Sequence, residues 1–321
     1  MYAAARVKYH STMASFLIRR AFTSVLVLFG VATLVFAVLR LVPGDPVESL
    51  LGEQASQEDY QRLRSCFGLD QPISGQYLRF WSDIADGSMG ELCNQPGETV
   101  ASALSTALPP TVELALAAML VALLIALPLG VLSALKPNSW FDHLAMFFSL
   151  LGVSIPSFWL GPMLLILFAL SLKWLPDPGN QTMGVLGLLL PALTLGTALA
   201  AKLTRMTRQS VLEVIRQDYV RTAVAKGLHP ARVILKHVLR NALMPVTTVA
   251  TLQLGAVLTG AIIVEKVFAR PGLGTLLLEA IEMRNYPLVQ GCVLFIATVY
   301  ISVNFLADLL YGVIDPRIRH S

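Results

Sequence analysis

Six long stretches without a charged residue divide this chain, and they restrict its fold more than any other feature. A helix needs about 20 apolar residues to cross the hydrocarbon core of a bilayer. The stretches that meet or nearly meet this length are Ala21–Leu39, Leu114–Leu135, Leu144–Leu172, Met183–Ala201, Ala242–Val264 and Pro287–Ala307. The sequence therefore predicts an all-α polytopic membrane protein with six transmembrane helices.

The third stretch is longer than a straight span requires. It contains Pro156 and Pro162, and a proline inside a helix removes a backbone donor and clashes with the preceding turn. We therefore expect this span to tilt or kink.

Charge is scarce and unevenly distributed. Charged residues make up 14% of the chain, whereas a soluble domain usually carries about 25%. If the two ends and the second and fourth loops lie on one side, that side carries sixteen Lys and Arg against eight on the other. Nine of the sixteen fall between Lys202 and Arg240, so the positive-inside rule places this side in the cytoplasm. Both termini are then cytoplasmic, and the net charge of +4 needs no nucleic-acid partner.

The first apolar stretch resembles a signal peptide only superficially. It is too long for an apolar signal region, and the residues after it, Arg40 to Pro46, are not a small-residue cleavage site. We interpret it as a retained anchor. Met13 is a plausible alternative start, which would make residues 1–12 a dispensable tail.

The outer segments are polar and rich in turns. In the largest, residues 41–110, we expect short helices at Gln57–Cys66 and Ser74–Ile84, and Thr275–Met283 can form another in the third outer loop. Cys66 and Cys93 both lie on this oxidising side. A disulfide between them and two unpaired thiols are equally compatible with the sequence, because spacing cannot establish the geometry of a bridge.

Catalytic motifs are missing from the sequence. It has no G-x-x-x-x-G-K-[ST] loop to bind ATP, no G-x-S-x-G, and no H-E-x-x-H zinc motif. Two acids near span ends, Glu113 and Asp308, are expected to snorkel or cap rather than relay protons. A membrane enzyme and a proton-coupled transporter are therefore poorly supported.

The basic loop from Lys202 to Arg240 is amphipathic. A first helical run places Val211, Leu212, Ile215, Tyr219 and Ala223 at helical spacing, and a second does so with Ile234, Leu235, Val238 and Leu239. Gly227 permits a sharp turn between them, and Pro230 suits the first turn of a helix. Two short helices at a corner of small residues fit a groove on a partner protein better than a flat lipid surface.

Several segments resemble one family in order along nearly the whole chain. They are RLVPGDP (40–46), GLDQP (68–72), GVSIPSFWLG (152–161), RMTRQSVLEV (205–214), DYVRTAVAKGL (218–228), HVLRNALMPV (237–246), FARPGLG (268–274), NYPLVQG (285–291) and LLYGVIDPRIR (309–319). The chain resembles permeases of binding-protein-dependent ABC importers, in the branch that carries dipeptides, oligopeptides and nickel. Of the general importer loop motif it keeps only Ala223, Gly227 and Leu239.

The resemblance implies a type I ABC importer permease fold in the bacterial inner membrane. It implies a cytoplasmic tail (1–15), a first transmembrane helix (16–40), a periplasmic segment (41–110), a five-helix core (111–313) with a coupling loop (202–241), and a second tail (314–321). The implied partners are a second homologous permease, two ATP-binding subunits and a periplasmic solute-binding protein. ATP and Mg would be bound by the partner subunits, with no cofactor in this chain.

The resemblance also implies two sets of functional residues. The ATPase-coupling set is Tyr219, Arg221, Ala223, Ala225, Lys226, Gly227, Arg240, Asn241 and Pro245. The residues expected to line the translocation path are Ser154, Pro156, Trp159, Gln253 and Glu265, with core packing as the alternative for the first three. For Glu265, closing an outer gate, meeting the amino end of a substrate and pairing with Lys266 or Arg270 all remain open.

The expected function is ATP-driven import of di- or oligopeptides by alternating access. A nickel, metal-chelate or glutathione-like cargo is the alternative, since these permeases share the same motifs. A secondary transporter is a much weaker hypothesis.

Overall fold

The computed structural model describes residues 2–51, 56–93, 95, 97–179 and 184–314. Apart from an isolated antiparallel β-bridge between Glu91 and Thr99, the regular elements of these residues are helices. Contacts divide the chain into two compact units. The first is Met1–Ala107 with Leu276–Phe305, and the second is Leu108–Thr275 with Leu306–Ser321.

The helices follow the predicted order. The first seven are α1 Tyr2–Leu41, α2 Pro46–Leu51, α3 Gln57–Cys66, α4 Ile73–Ala85, α5 Val100–Leu135, α6 Trp140–Ser154 and α7 Ser157–Leu164, which continues as a π-helix over Leu165–Ser171. The others are α8 Val185–Ile215, α9 Asp218–Ala225, α10 Pro230–Arg232 with a π-helix over Val233–Val238, α11 Leu239–Val267, α12 Leu273–Glu282 and α13 Tyr286–Ile314. The three short helices predicted outside the membrane are confirmed as α3, α4 and α12.

Five continuous helices in the described residues are long and apolar enough to cross a bilayer. Their membrane-spanning parts lie within Ile18–Leu41, Val100–Leu135, Val185–Ile215, Pro230–Leu258 and Tyr286–Ala307. The third predicted span is the pair Trp140–Ser154 and Ser157–Ser171, bent by 104°. Counting this pair as one span gives the six that the sequence predicts. The break falls at Ile155 and Pro156, which have extended backbone, whereas Pro162 lies inside α7.

The observed helix ends differ most from the prediction where a helix extends beyond its apolar stretch. The helix α5 begins at Val100, not near residue 111, and the predicted tail 2–15 continues into α1. Thr99 and Ser102 explain the early start of α5: each hydroxyl accepts a hydrogen bond from the other residue's backbone N–H, at 3.2 Å, which is a reciprocal cap of the helix. With 36 residues, α5 is about 54 Å long. The apolar stretch in its sequence therefore marks only a part of the helix and does not show where the helix begins. Residues 315–321, which include part of one family segment and the second tail, lie outside the described residues.

The first unit contains a small core in the segment predicted to be periplasmic. A disulfide joins Cys66 at the end of α3 to Cys93, with their Cα atoms 5.9 Å apart. Val47, Leu63 and Phe67 are buried around it. This part of the chain is too small to rely on apolar burial alone, and a covalent bridge compensates for that.

Asp45 holds the same region together through polar contacts. Its carboxylate accepts hydrogen bonds from the Tyr60 hydroxyl at 2.6 Å and from Arg64 at 3.1 Å. Burial acts to raise the pKa of Asp45, but these two groups and the backbone N–H of Val47 outweigh it, so its pKa lies below the ordinary value.

The second unit is built by close helix crossings at small residues. A Cβ on Gly130 of α5 would lie 2.6 Å from Cβ of Thr207 and 2.8 Å from the Thr204 carbonyl oxygen, both on α8. Likewise, a Cβ on Gly196 of α8 would lie 2.9 Å from the carbonyl oxygen of Ala118 on α5. Helices in lipid associate largely through such van der Waals contact, because burial of apolar surface gives little driving force there.

We predict that breaking the disulfide opens the region around α3. The bridge closes a loop with a sequence separation of 27, and a loop of that length contributes about 3 kcal/mol. Trypsin should therefore cleave after Arg62 and Arg64 faster in the C66S/C93S variant, or in the wild type after reduction. Reductant should leave the double variant unaffected, and equal cleavage rates with and without the bridge would contradict the prediction.

The close crossing of α5 and α8 at Gly130 gives a second prediction, which concerns stability. Gly130→Ala should lower the stability of the solubilised protein by about 1–3 kcal/mol, because the added methyl group overlaps α8. Gly30→Ala is the matched control, since Gly30 is also helical and, apart from its chain neighbours and its own helix backbone, no atom of the described residues lies within 4 Å of the place that its methyl group would take. Thermal unfolding measures both variants. A Gly130→Ala protein as stable as Gly30→Ala would show that the crossing adapts without strain.

Candidate functional site

The basic segment from Lys202 to Arg240 contains two breaks rather than one. The predicted turn is at Gly227, whose φ of +74° lies in the left-handed region that favours glycine. His229 then caps α10 by accepting from the N–H of Ala231 at 3.3 Å. A second break, at Arg216 and Gln217, separates α8 from α9. The apolar positions predicted on one continuous helix are therefore shared between two.

The inner face of α9 packs on its own chain. Val220 and Ala223 are buried, together with Val211 of α8 and Ala242 of α11. Ala223, expected in the coupling set, thus faces the protein core and holds the helix in place.

The second predicted apolar face is only partly confirmed. Val238 is buried as predicted, but Leu235, expected on the same face, is 68% exposed, and Val233 is buried instead. The segment Val233–Val238 is a π-helix, in which hydrogen bonds span one extra residue. Positions five apart then share a face, which is why Val233 and Val238 point inward together.

The outer face of α9 and the turn after it are open. On α9 and in this turn, the exposed residues of the predicted coupling set are Tyr219, Arg221, Ala225, Lys226 and Gly227. Val224, which sequence reasoning did not select, is 61% exposed beside them. This face therefore combines an exposed apolar side chain with positive charge.

A hydrogen bond ties this face to the next long helix. The Asn241 Nδ2 of α11 donates to the Tyr219 hydroxyl at 2.7 Å, and that hydroxyl donates to the His237 carbonyl at 3.4 Å. Arg240 and Pro245 are exposed on the first turns of α11. Movement of α9 is thereby linked to the inner end of α11.

A groove opens beside the start of α9. Its volume is about 660 Å³, and it is lined by Met146, Arg205, Arg208, Gln209, Leu212, Glu213, Arg216 and Gln217. Arg208 makes a two-pronged contact with Asp142 of α6, both at 2.6 Å, which joins α6 to α8. This ion pair was not predicted, since no sequence pattern connects positions so far apart.

The expected path residues around the bend are accessible. Ser154 and Pro156 are exposed, and Trp159 is 52% exposed. Ser154 Oγ donates to the Leu150 carbonyl of its own helix at 2.9 Å. Gln253 on α11 is half-buried.

Glu265 does not lie on an accessible path in this structure. Its side chain is fully buried, and its carboxylate accepts hydrogen bonds from the Thr111 hydroxyl and the backbone N–H of Gly274. Arg270, one of its expected partners, instead donates to Glu113 at 2.9 Å. A buried carboxylate needs hydrogen-bond donors, and the PGLG turn that follows supplies them. In the sequence, this glycine-rich turn was the signal that could have indicated backbone donors for Glu265.

We predict that the Tyr219–Asn241 contact restrains α9. Tyr219→Phe removes the hydroxyl and keeps the ring, and loss of such a hydrogen bond costs about 0.5–1.5 kcal/mol. Amide hydrogen exchange across Asp218–Ala225 should accelerate by up to about tenfold. Asn241→Ala should have a similar effect, and the double variant should exceed neither by much. Unchanged exchange in Tyr219→Phe would contradict the restraint.

Comparison with known proteins extends over nearly the whole chain. Residues 126–320 match the family described as binding-protein-dependent transport system inner membrane component, and residues 13–115 match its N-terminal family. The chain is 45% identical to the di/tripeptide transport system permease protein DppB of Pseudomonas aeruginosa, over 96% of this chain and 99% of that protein. It is 37% identical to the oligopeptide transport system permease protein AppB of Bacillus subtilis, over 96% and 100%. It is 40% identical to the glutathione transport system permease protein GsiC of Pectobacterium atrosepticum, again over 96% and 100%.

Two solved structures share the fold. One shows inward-facing conformations of the MetNI methionine ABC transporter, with a TM-score of 0.52, 19% identity, and coverage of 66% of this chain and 96% of that chain. The other is an amino acid ABC transporter with histidines, with a TM-score of 0.51, 15% identity, and coverage of 67% and 94%. At these identities the likeness concerns the fold alone. The chain belongs to the binding-protein-dependent transport system inner membrane components, the permease subunits of ABC importers.

Proposed function

We propose that this permease forms half of the translocation path of an ATP-driven importer of short peptides. The observation that carries the proposal is the similarity, over nearly full length, to permeases named for di- and tripeptide, dipeptide and oligopeptide transport. The face of α9 on the basic side, predicted to be cytoplasmic, is exposed and so available to a partner subunit. This exposure supports transport that is driven by ATP hydrolysis outside this chain.

The proposed assembly has four kinds of subunit. A second, homologous permease completes the path, two ATP-binding subunits lie on the cytoplasmic side, and a periplasmic solute-binding protein delivers the substrate. ATP and Mg belong to the ATP-binding subunits. The groove beside α9, with Arg205 and Arg216 on its wall, offers them a second contact of positive charge.

Within this assembly, α9 acts as the coupling helix. Tyr219, Arg221, Val224 and Lys226 are exposed and would enter a cleft of the ATP-binding subunit, while the buried Ala223 keeps the helix seated. The hydrogen bond from Asn241 to Tyr219 gives α11 a direct response to movement of α9. Each ligand drives the cycle only through its different affinity for the inward- and outward-facing states.

The path itself is proposed to run along the bent pair and α11. Ser154, Pro156 and Trp159 are accessible at the break, and Gln253 offers a half-buried amide on α11. An extended backbone at a break leaves peptide groups outside the helical hydrogen-bond ladder, which suits a polar passage. Glu265 is not included, because its hydrogen-bonding capacity is engaged inside the protein.

Short peptides are the proposed cargo, and glutathione is the second candidate. Glutathione is itself a small peptide, and the 40% identity to a glutathione permease favours it over a metal chelate. The test is uptake by the complete transporter in proteoliposomes, with ATP inside and binding protein outside. Labelled dipeptide, glutathione and Ni²⁺ are compared, and ATP-dependent uptake of Ni²⁺ without peptide uptake would overturn the assignment.

We predict that Gly227→Trp uncouples the transporter without unfolding the permease. No atom of the described residues lies within 4 Å of a Cβ at Gly227, so the bulk of the indole meets a partner subunit rather than this chain. Transport should fall by more than about tenfold, with the permease still inserted and ATP hydrolysis no longer stimulated by substrate.

Gly87→Trp is the matched control. Gly87 also has a positive φ, +83°, and open surroundings, but it lies in the segment predicted to be periplasmic. Its substitution carries a similar backbone strain and should leave coupling intact. Equal losses in both variants would assign the effect to the backbone, and normal transport by Gly227→Trp would contradict the docking of α9.

A further inference from the structure

The outer end of α11 holds a carboxylate without any exposure to solvent. Glu265 is 0% exposed. Its Oε1 accepts from the Thr111 hydroxyl at 2.6 Å, and its Oε2 accepts from the N–H groups of Gly274 and Thr275 at 2.7 and 3.3 Å. These N–H groups belong to the first turn of α12, where a helix favours negative charge.

Thr111 makes the contact a three-way junction. Its oxygen accepts from the N–H of Leu273 at 2.8 Å while its hydrogen points to Glu265. The junction therefore joins α5, α11 and the loop of residues 268–275. Each protein group that faces the carboxylate in these contacts is a donor, which suits an ionised acid better than an amide.

The loop is shaped to approach this one side chain. A Cβ on Gly272 would overlap the Glu265 carboxylate, and one on Gly274 would lie 2.9 Å from Oε2 and overlap the backbone of Ile262. An apolar contact could hold a loop without desolvating a carboxylate. Directional hydrogen bonds additionally fix one orientation of the loop on α11.

A continuous helix connects this junction with the coupling helix. From Leu239 to Val267, α11 has 29 residues, or about 43 Å of length. Its inner end is bonded to α9 through Asn241 and Tyr219, and its outer end is bonded through Glu265. A continuous helix with a specific polar contact at each end can carry a displacement between two distant sites.

We propose that Glu265 is a positioning residue that makes the outer loop 268–275 and the part of α5 around Thr111 move with α11. The inference rests on the proposed function, since the displacement originates where α9 meets an ATP-binding subunit. Without the junction, α9 and α11 still respond to ATP, but the outer loop no longer follows. ATP hydrolysis and transport then separate.

Three variants test the junction in the complete transporter. Thr111→Val removes the hydroxyl and keeps the side-chain volume, Thr111→Ser restores the hydroxyl, and Glu265→Gln places an amide donor among donors. Thr194→Val is the matched control, because Thr194 is equally buried, at 1%, and its hydroxyl donates to the carbonyl of Leu190 in its own helix.

The first measurement is ATP hydrolysed per substrate imported in proteoliposomes. We expect this ratio to rise about fivefold to tenfold in Thr111→Val and Glu265→Gln, as for loss of a typical coupling between sites. It should stay near the wild-type value in Thr111→Ser and Thr194→Val. An unchanged ratio, or transport and hydrolysis that fall together with the amount of folded complex, would overturn the proposal.

The second measurement does not depend on transport. Spin labels at Leu252 on α11 and Ala269 in the loop, both exposed, report whether the two move as one body. The distance distribution should broaden in Thr111→Val and keep its width in Thr194→Val. Equal widths would overturn the proposed junction, whatever substrate the transporter carries. A wild type without ATP-dependent uptake would refute only the proposed function.

Discussion

The lack of water in the bilayer core is the constraint on which the rest of this structure depends. Backbone groups there must be hydrogen-bonded within the chain, and some buried hydroxyls are paired in the same way. The hydroxyls of Thr194 and Thr204, both buried, donate to carbonyls four residues earlier in α8. Association between helices then depends largely on close approach, which Gly130 and Gly196 allow along α5 and α8.

Two of the polar contacts between segments lie at the two ends of α11. At the inner end, Asn241 meets Tyr219 of α9, and at the outer end Glu265 meets Thr111 and the first turn of α12. Apolar packing tolerates small sliding, whereas a hydrogen bond weakens steeply when its angle changes. Under the proposed junction, the ends of α11 are the points at which a displacement passes to α9 and to the outer loop.

Sequence patterns predicted local features well and shared faces poorly. The turn at Gly227 and the short helices outside the membrane follow from residue preference and spacing. The break at Arg216 and the inward side chain of Val233 were missed, because they depend on departures from ordinary α-helical hydrogen bonding. Glu265 was placed on a path because an acid near a span end usually serves function, and its donors come from both a neighbouring turn and a distant helix.

By itself, the sequence determined the number of apolar spans, the membrane side of the basic segment and the family. The first two depend on sums over neighbouring residues, since the transfer of each side chain into lipid contributes separately to insertion and charge sets orientation. Only the tertiary structure decided that α9 turns Ala223 inward and Val224 outward, that Arg208 pairs with Asp142, and that Glu265 joins three segments. These outcomes depend on contacts between residues far apart in the chain, and such contacts are specified by the packing of whole helices rather than by any local pattern.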